Sequence, residues 1–292
     1  SQPGSRLSIQ GAHLIFNLSA CDELVGISDY VKSMVIQQSA RCYSGYVYVS
    51  AGYGESTTDT VFSGNAYITE SGNLLAESKR FSLSEQLIVS DIDVDILKAD
   101  RIRKTSFAEG SDRKESACMV PFTIEQNAFS LLRTISPSPL IPERIEQNKR
   151  LEEAFLIQSF GLLKRMRHTH ANSLVVGISG GLDSTLALLV CVKVCDLLSL
   201  PRTTILGITM PGFGTTDRTY INALSLMHSL GVTVGEISIR EACELHFRDI
   251  DQDMSMHDAT YENAQARERT QILMDIANQQ NGLVVGTGDM SE

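Results

Sequence analysis

From residue 171 onward the apolar residues fall into short blocks that alternate between two periods. Leu174, Val175, Val176 and Ile178 form a run suited to a strand buried on both faces, whereas Leu182, Leu186, Leu189 and Val190 recur at helical spacing. The same reading predicts a strand from Thr204 to Met210, a helix from Asp217 to Leu230 and a short strand from Thr233 to Ile237. A helix from Ala264 to Gln280 and a last strand from Leu283 to Gly286 follow. Ahead of these blocks, Glu143 to His168 reads as one long helix. Alternation of this kind predicts an α/β fold, a doubly wound parallel sheet whose ligands bind at the carboxyl ends of its strands.

Before the SPSPLI stretch at residues 136 to 141, where two prolines mark a break, the texture is β-rich. His13 to Leu18, Tyr46 to Ala51 and Val61 to Thr69 read as strands. Asn73 to Phe81 continues a hairpin after the Ser71-Gly72-Asn73 turn. Gln86 to Asp95 alternates polar and apolar side chains, the pattern of a strand with one wet face, and Ile96 to Arg103 turns basic and helical. No internal repeat or low-complexity tract interrupts either part.

Length and composition narrow the picture. The 292 residues suit about two domains, and 42% hydrophobic content is ample for sizeable cores. A net charge of −10 argues against a broad nucleic-acid-binding or anionic-membrane surface, so anionic ligands must be met locally. Six cysteines without a CxxC pair read as reduced thiols of a cytoplasmic protein, and Cys191 and Cys195, one helical turn apart, read as core packing rather than a metal site. No stretch has the length of a membrane span, and SQPGSRLSIQ has neither the charged lead nor the apolar stretch of a signal peptide.

The chemistry concentrates where the Leu174 strand meets its helix, in LVVGISGGLDST (174 to 185). Gly180 and Gly181 remove Cβ atoms where backbone must approach a ligand. The Ser179 and Ser184 hydroxyls stand beside helix-start N–H groups, which favour an anion at the positive end of the helix dipole. Phosphate is the expected guest. The lysine of the common P-loop is missing and Asp183 is present, so a cation such as Mg²⁺ is expected to bridge carboxylate and phosphate. An ordinary tight strand-to-helix turn explains the same glycine pair.

Other loops on that sheet edge are polar too. PGFGTTD (211 to 217) could receive an adenine against its backbone, or could be a plain turn with Asp217 capping the next helix. The helix opening at Tyr261 presents ENAQARERTQ, where Asn263 and Arg267 are four apart and share a face; the same charges could be a solvated run. GTGDMSE places Thr287, Asp289 and Glu292 on a third loop, where a second carboxylate could complete a Mg²⁺ site with Asp183.

The SGGLDS string resembles the pyrophosphate loop of the N-type ATP pyrophosphatases. Together with MPGFGTTDRTYINA, TYENAQARERTQILMDIAN and GLVVGTGDMSE, it is similar to the synthetase domain of bacterial glutamine-dependent NAD+ synthetases. Upstream, GAHLIFNLSA, YVYVSAGYGESTTDTVFSG and LLAESKRFS are similar to the nitrilase-like glutaminase domain of that family. The resemblance implies part of a nitrilase-like sandwich over residues 1–135, a linker and linking helix over 136–170, and an adenine nucleotide alpha-hydrolase-like domain over 171–292. It implies that MgATP adenylates deamido-NAD with release of pyrophosphate, and that ammonia from glutamine then displaces AMP to give NAD+. It also implies a homo-oligomer.

Carried onto matching positions, Ser179, Gly180, Gly181, Asp183, Ser184 and Thr287 would contact ATP. Asn263, Arg267 and Glu292 would contact deamido-NAD, and Asp183 and Glu292 would serve the metal. The family's Glu, Lys and Cys glutaminase constellation would lie upstream of Ser1, so the expectation is an internal fragment that does not itself hydrolyse glutamine. Two positions depart from the family pattern: Cys21 stands where a glutamine-contacting serine is expected, and Ile27 where a basic residue is expected. Cys21 reads as a packed thiol rather than a nucleophile. The alternatives are another pyrophosphate-loop amidotransferase, such as a GMP or asparagine synthetase, and a noncatalytic nucleotide-binding remnant.

Overall fold

The computed structural model describes residues 3–55, 59–109, 118, 120–123, 130–138, 141 and 146–288. The chain forms two compact units, Ser1–Pro137 and Ser138–Glu292.

In the first unit, helix α1 (Pro3–Ile9) leads into β1 (Leu14–Ser19), α2 (Ile27–Cys42) and β2 (Gly45–Ser50). The hairpin β3 (Ala66–Glu70) and β4 (Asn73–Glu77) follows, then α3 (Val94–Arg103) and α4 (Thr105–Glu109). The strands lie in sequence order in one sheet; β1 and β2 are parallel across the α2 crossover, and β2, β3 and β4 are antiparallel. Val31 and Val35 of α2 pack on Tyr48 and Tyr67 of the sheet, and Ile27 packs against that cluster. The apolar side chain at position 27 therefore has a structural use as the first anchor of α2.

Three sequence expectations need correction here. Residues 86–93 form no strand. Leu87 and Val89 stay exposed, Leu87 at 88%, and the acidic residues of the alternation bond to backbone N–H groups. Asp93 accepts hydrogen bonds from the N–H groups of Asp95 and Ile96 as the N-cap of α3, and Asp91 accepts from those of Leu132 and Arg133. The strand read from Val61 starts only at Ala66, after Gly64 turns the chain with φ +72°. Cys21 is exposed rather than packed, in the loop after β1, with the Ser19 hydroxyl 3.3 Å from its sulfur. Helices α1 and α2 escaped the periodicity reading because polar residues interrupt their apolar faces.

A buried arginine ties the helices of this unit together. Arg101 of α3 donates to the carbonyls of Cys42, Tyr43 and Ala12 and to the Ser8 hydroxyl, and its guanidinium carbon lies 4.9 Å from the Phe107 ring centre. Among the described residues no carboxylate pairs with it. The carbonyls at the C-terminal end of α2, the negative end of its dipole, take that place.

The second unit begins with α5 (Gln147–Thr169) and continues through β5 (Ser173–Gly177), α6 (Leu182–Leu198), β6 (Ile205–Thr209) and α7 (Asp217–Leu230). It ends with β7 (Thr233–Glu236), α8 (Arg240–Asp249), α9 (Ala259–Gln279) and β8 (Gly282–Val284). The part of the expected long helix at residues 143–145 lies outside the described residues. All strand pairs are parallel, in the order β7-β6-β5-β8. Alternate residues of β5 feed opposite layers: Leu174 and Val176 meet Met166, Leu188, Cys191, Cys195 and Met227, while Val175 meets Cys243, Phe247, Ala264 and Ala277. The sheet is thus doubly wound, with α5, α6 and α7 on one face and α8 and α9 on the other. Cys191 and Cys195 are core side chains, and burial pushes the Cys191 thiol up to about 12. Strand order reverses between β5 and β8, which opens a crevice at their carboxyl ends. No helix among the described residues is long and apolar enough to cross a membrane.

Two stability outcomes follow from the Arg101 clasp. Arg101→Met leaves several buried carbonyls without donors and is expected to lower stability by about 2–4 kcal/mol. Urea unfolding read by tyrosine fluorescence checks this, since six of the eight tyrosines lie before residue 68. Burial, then the positive charges of Arg101 and Lys98, hold His13 below its ordinary range. The unfolded chain therefore takes up that proton first, and stability falls as pH drops through about 6.5. The same titration on His13→Gln should show a shallower loss between about pH 7.5 and about pH 5.5.

Candidate functional site

The turn after β5 is built on two glycines with different duties. Gly180 has φ +85°, and a Cβ there would lie 2.2 Å from the carbonyl oxygen of Thr219 in the first turn of α7. Only a residue without a side chain lets the loop turn under that helix. Gly181 is the N-cap of α6 and supplies no side-chain cap, so the first N–H groups of a 17-residue helix remain open to an anion. Around them the hydroxyls are ordered. Ser179 Oγ lies 3.2 Å from Ser184 Oγ and accepts a hydrogen bond from the Gly181 N–H at 3.3 Å. Ser184, which is buried, and Thr185 both donate to the Gly181 carbonyl. Asp183 is exposed in the first turn of α6.

Two cavities meet this turn. One, of about 710 Å³, is lined by Ser179, Thr209, Thr219, Gln265, Arg269 and Thr287 among others. The second, about 640 Å³, is bordered by Asp183, Gln158, Leu186, Val285 and Thr287. Thr287 therefore borders both, and the loops after β5 and β8 share the crevice at the strand reversal. Asp289 and Glu292 lie outside the described residues. Among the described residues no group of three or more metal-ligand side chains gathers. A single exposed carboxylate beside an anion cradle nevertheless fits Mg²⁺, which keeps several waters and takes one or two carboxylates together with phosphate oxygens.

Helix α9 turns two faces toward polar surroundings. Asn263 and Arg267 are exposed and line neither cavity, whereas Tyr261, Gln265 and Arg269, offset by two residues, line the larger one. The apolar positions Ala264, Ile272 and Ile276 set that phase by facing the sheet. Gln265 accepts from the Phe213 N–H and donates to the Tyr261 carbonyl, both at 3.1 Å. Arg269 donates from Nε to the Met210 carbonyl at 3.3 Å, and burial holds its guanidinium below the usual arginine range. The cap of α7 is Thr216, whose hydroxyl accepts from the Thr219 N–H; Asp217 instead occupies the first helical position. Asp258 caps α9, and His257, Tyr261 and Phe247 stack in succession, with ring centres 4.5 Å and 5.4 Å apart. Arg269 was visible in the sequence only as a member of a charge run, and Gln265 only as part of ENAQARERTQ.

Comparison with known proteins relates the sequence to one family of enzymes. A family model described as NAD synthase matches residues 157–292. Over 99% of its length the chain is 40% identical to a glutamine-dependent NAD(+) synthetase of Mycobacterium leprae, of which it covers 44%. It is 38% identical, with the same two coverages, to the Mycobacterium tuberculosis H37Rv protein of that name. A stretch covering 48% of the chain is 30% identical to an NH(3)-dependent NAD(+) synthetase of Pyrobaculum aerophilum, covering 51% of it. Among solved structures, the glutamine-dependent NAD+ synthetase of Acinetobacter baumannii in complex with ADP matches 99% of this chain and 46% of its own, at 20% identity and a TM-score of 0.45. The chain thus spans about half the length of the relatives it matches. On sequence, residues 157–292 match the NAD synthase family, and the chain as a whole is similar to part of the glutamine-dependent NAD(+) synthetases.

Proposed function

We propose that the second unit binds MgATP and adenylates the nicotinate carboxylate of deamido-NAD, which ammonia then converts to the amide of NAD+. The observation that carries this reading is the uncapped start of α6 within SGGLDS, an anion cradle at the strand reversal of a sheet whose family is NAD synthase. In the first step a carboxylate oxygen attacks the α-phosphorus and the bond to the β-phosphate breaks, so pyrophosphate leaves. In the second, ammonia adds to the acyl carbon and AMP departs. A carboxylate resists nucleophiles until it becomes such a mixed anhydride.

The residues of this chain act by holding and orienting. Ser179, Ser184 and the N–H groups that open α6 would hold phosphate oxygens; Gly180 and Gly181 leave room for them, and Thr287 contacts ATP from the facing loop. Asp183, with Glu292, would hold a magnesium ion, which offsets charge on the departing pyrophosphate when bound. Asn263 and Arg267, exposed on the other face of α9, are assigned to deamido-NAD beyond the nucleotide cleft. No residue of this unit serves as a nucleophile, so loss of any one contact weakens the reaction by degrees. Residues 1–135 are assigned to a nitrilase-like glutaminase part that would supply ammonia from glutamine, residues 136–170 to the connection, and residues 171–292 to the synthetase. Cytoplasmic placement and homo-oligomer formation belong to the same reading.

Pyrophosphate release from MgATP, deamido-NAD and ammonium tests it. Asp183→Asn is expected to slow release by about a hundredfold. Unchanged release in this variant would remove Asp183 from the machinery, and a parent chain that binds no MgATP by calorimetry would overturn the reading. Asn263→Ala should raise KM for deamido-NAD by about tenfold, the loss of one polar contact, with KM for MgATP within about twofold of the parent. Equal rises in both constants would contradict the assignment of that face.

A further inference from the structure

The turn between β6 and α7 has its backbone engaged from the Met210 carbonyl to the Phe213 N–H. The Met210 carbonyl accepts from Arg269 Nε at 3.3 Å, the Pro211 carbonyl from the Ile239 N–H at 3.2 Å and the Gly212 carbonyl from Arg240 Nε at 3.2 Å. The Gly212 N–H donates to Thr215 Oγ1 at 3.0 Å and the Phe213 N–H to Gln265 Oε1 at 3.1 Å. Proline has no N–H, so no polar group in this stretch is left over. The turn that the sequence offered either as a backbone surface for adenine or as a plain turn has, up to the Phe213 N–H, committed that backbone to protein partners.

We infer that Gln265, together with Arg269, is a positioning residue that fixes this turn as a rigid wall of the nucleotide cleft and so governs how well the nucleoside end of the ligand fits; the inference rests on the nucleotide reading above. Three features of the geometry point to this. Gln265 is 6% exposed, and both ends of its amide are used, Oε1 on the turn and Nε2 on the Tyr261 carbonyl of its own helix. The turn therefore inherits its placement from α9, which the sheet holds through Ala264 and Ala277. Both side chains also lie flat against Gly212, where a Cβ would meet Gln265 Oε1 at 2.6 Å and Arg269 Nη2 at 2.8 Å. The glycine is thus demanded by close approach to these two side chains. Gln265, Arg269 and Phe213 also line the cleft shared with Ser179 and Thr287, so a shift of the turn changes the cavity while leaving the phosphate cradle at α6 untouched.

That separation supplies the test. Two probes are titrated calorimetrically into the parent chain, Gln265→Leu and Gly212→Ala: MgATP, which occupies cradle and wall, and magnesium pyrophosphate, which needs only the cradle. Thermal melts by circular dichroism accompany each. Gln265→Leu is expected to weaken MgATP about tenfold, the loss of one buried hydrogen-bonded position, while pyrophosphate binding changes less than about twofold. Gly212→Ala should reproduce that split from the other side of the contact. Equal weakening of both probes would mean that Gln265 supports the unit as a whole, and unchanged MgATP affinity in both variants would mean that the turn is not a wall of the site; either result overturns the inference alone. A parent chain that binds pyrophosphate and not MgATP would overturn it together with the nucleotide reading.

Discussion

The second unit depends on one close approach, the passage of the Gly180 backbone beneath the Thr219 carbonyl. A left-handed residue with no room for a Cβ is required there, because the strand-to-helix turn must reverse direction between Gly177 and Leu182 while Thr219 of the next helix packs against it. Once that turn closes, α6 starts with its N–H groups directed into the crevice, and Ser179 and Ser184 are brought within hydrogen-bonding distance of each other. The site's electrostatics then need no cluster of lysines. An acidic chain of net charge −10 can still receive an anion because the attraction comes from oriented backbone dipoles over a few ångströms.

The strand order gives this turn its company. Because β8 lies on the opposite side of β5 from β6, the loops after β5 and β8 open toward the same crevice, and Thr287 borders both cavities without neighbouring Ser179 in sequence. Helix α9 lies on the opposite side of the sheet from α6 and supports the turn after β6 by side chains alone. In the first unit Arg101 plays a comparable organising part, drawing three carbonyls and a hydroxyl around one cation.

What the sequence revealed and what it hid follow from the same physics. Buried parallel strands announce themselves as continuous apolar runs, so β5 and β6 were legible to within a residue or two, and Asp217–Leu230 matched α7 at both ends. The SGGLDS turn was legible because its glycine pair stands with Ser179, Asp183 and Ser184 between such a run and a helix start. The alternation at residues 86–95 misled because Asp93 caps the next helix and Asp91 serves N–H groups up to 42 residues away, partners that the local pattern does not show. On α9 the i,i+4 rule describes two pairs, of which the sequence singled out the exposed one. Asn263 with Arg267 and Gln265 with Arg269 obey the same spacing, and only the burial of Ala264 decides which pair turns inward.

The turn bonded from the Met210 carbonyl to the Phe213 N–H bears on how such a cleft can choose among guests. Its hydrogen bonds form with the fold, so the ordering entropy of that wall is incurred when the chain folds and little remains to be lost when a ligand arrives. A wall of this kind cannot remodel itself around an ill-fitting ring, since any movement would strip several buried polar groups of their partners at once. Discrimination then comes from exclusion by shape, and tolerance to altered nucleotides is limited by the stiffness of the scaffold behind the surface they touch.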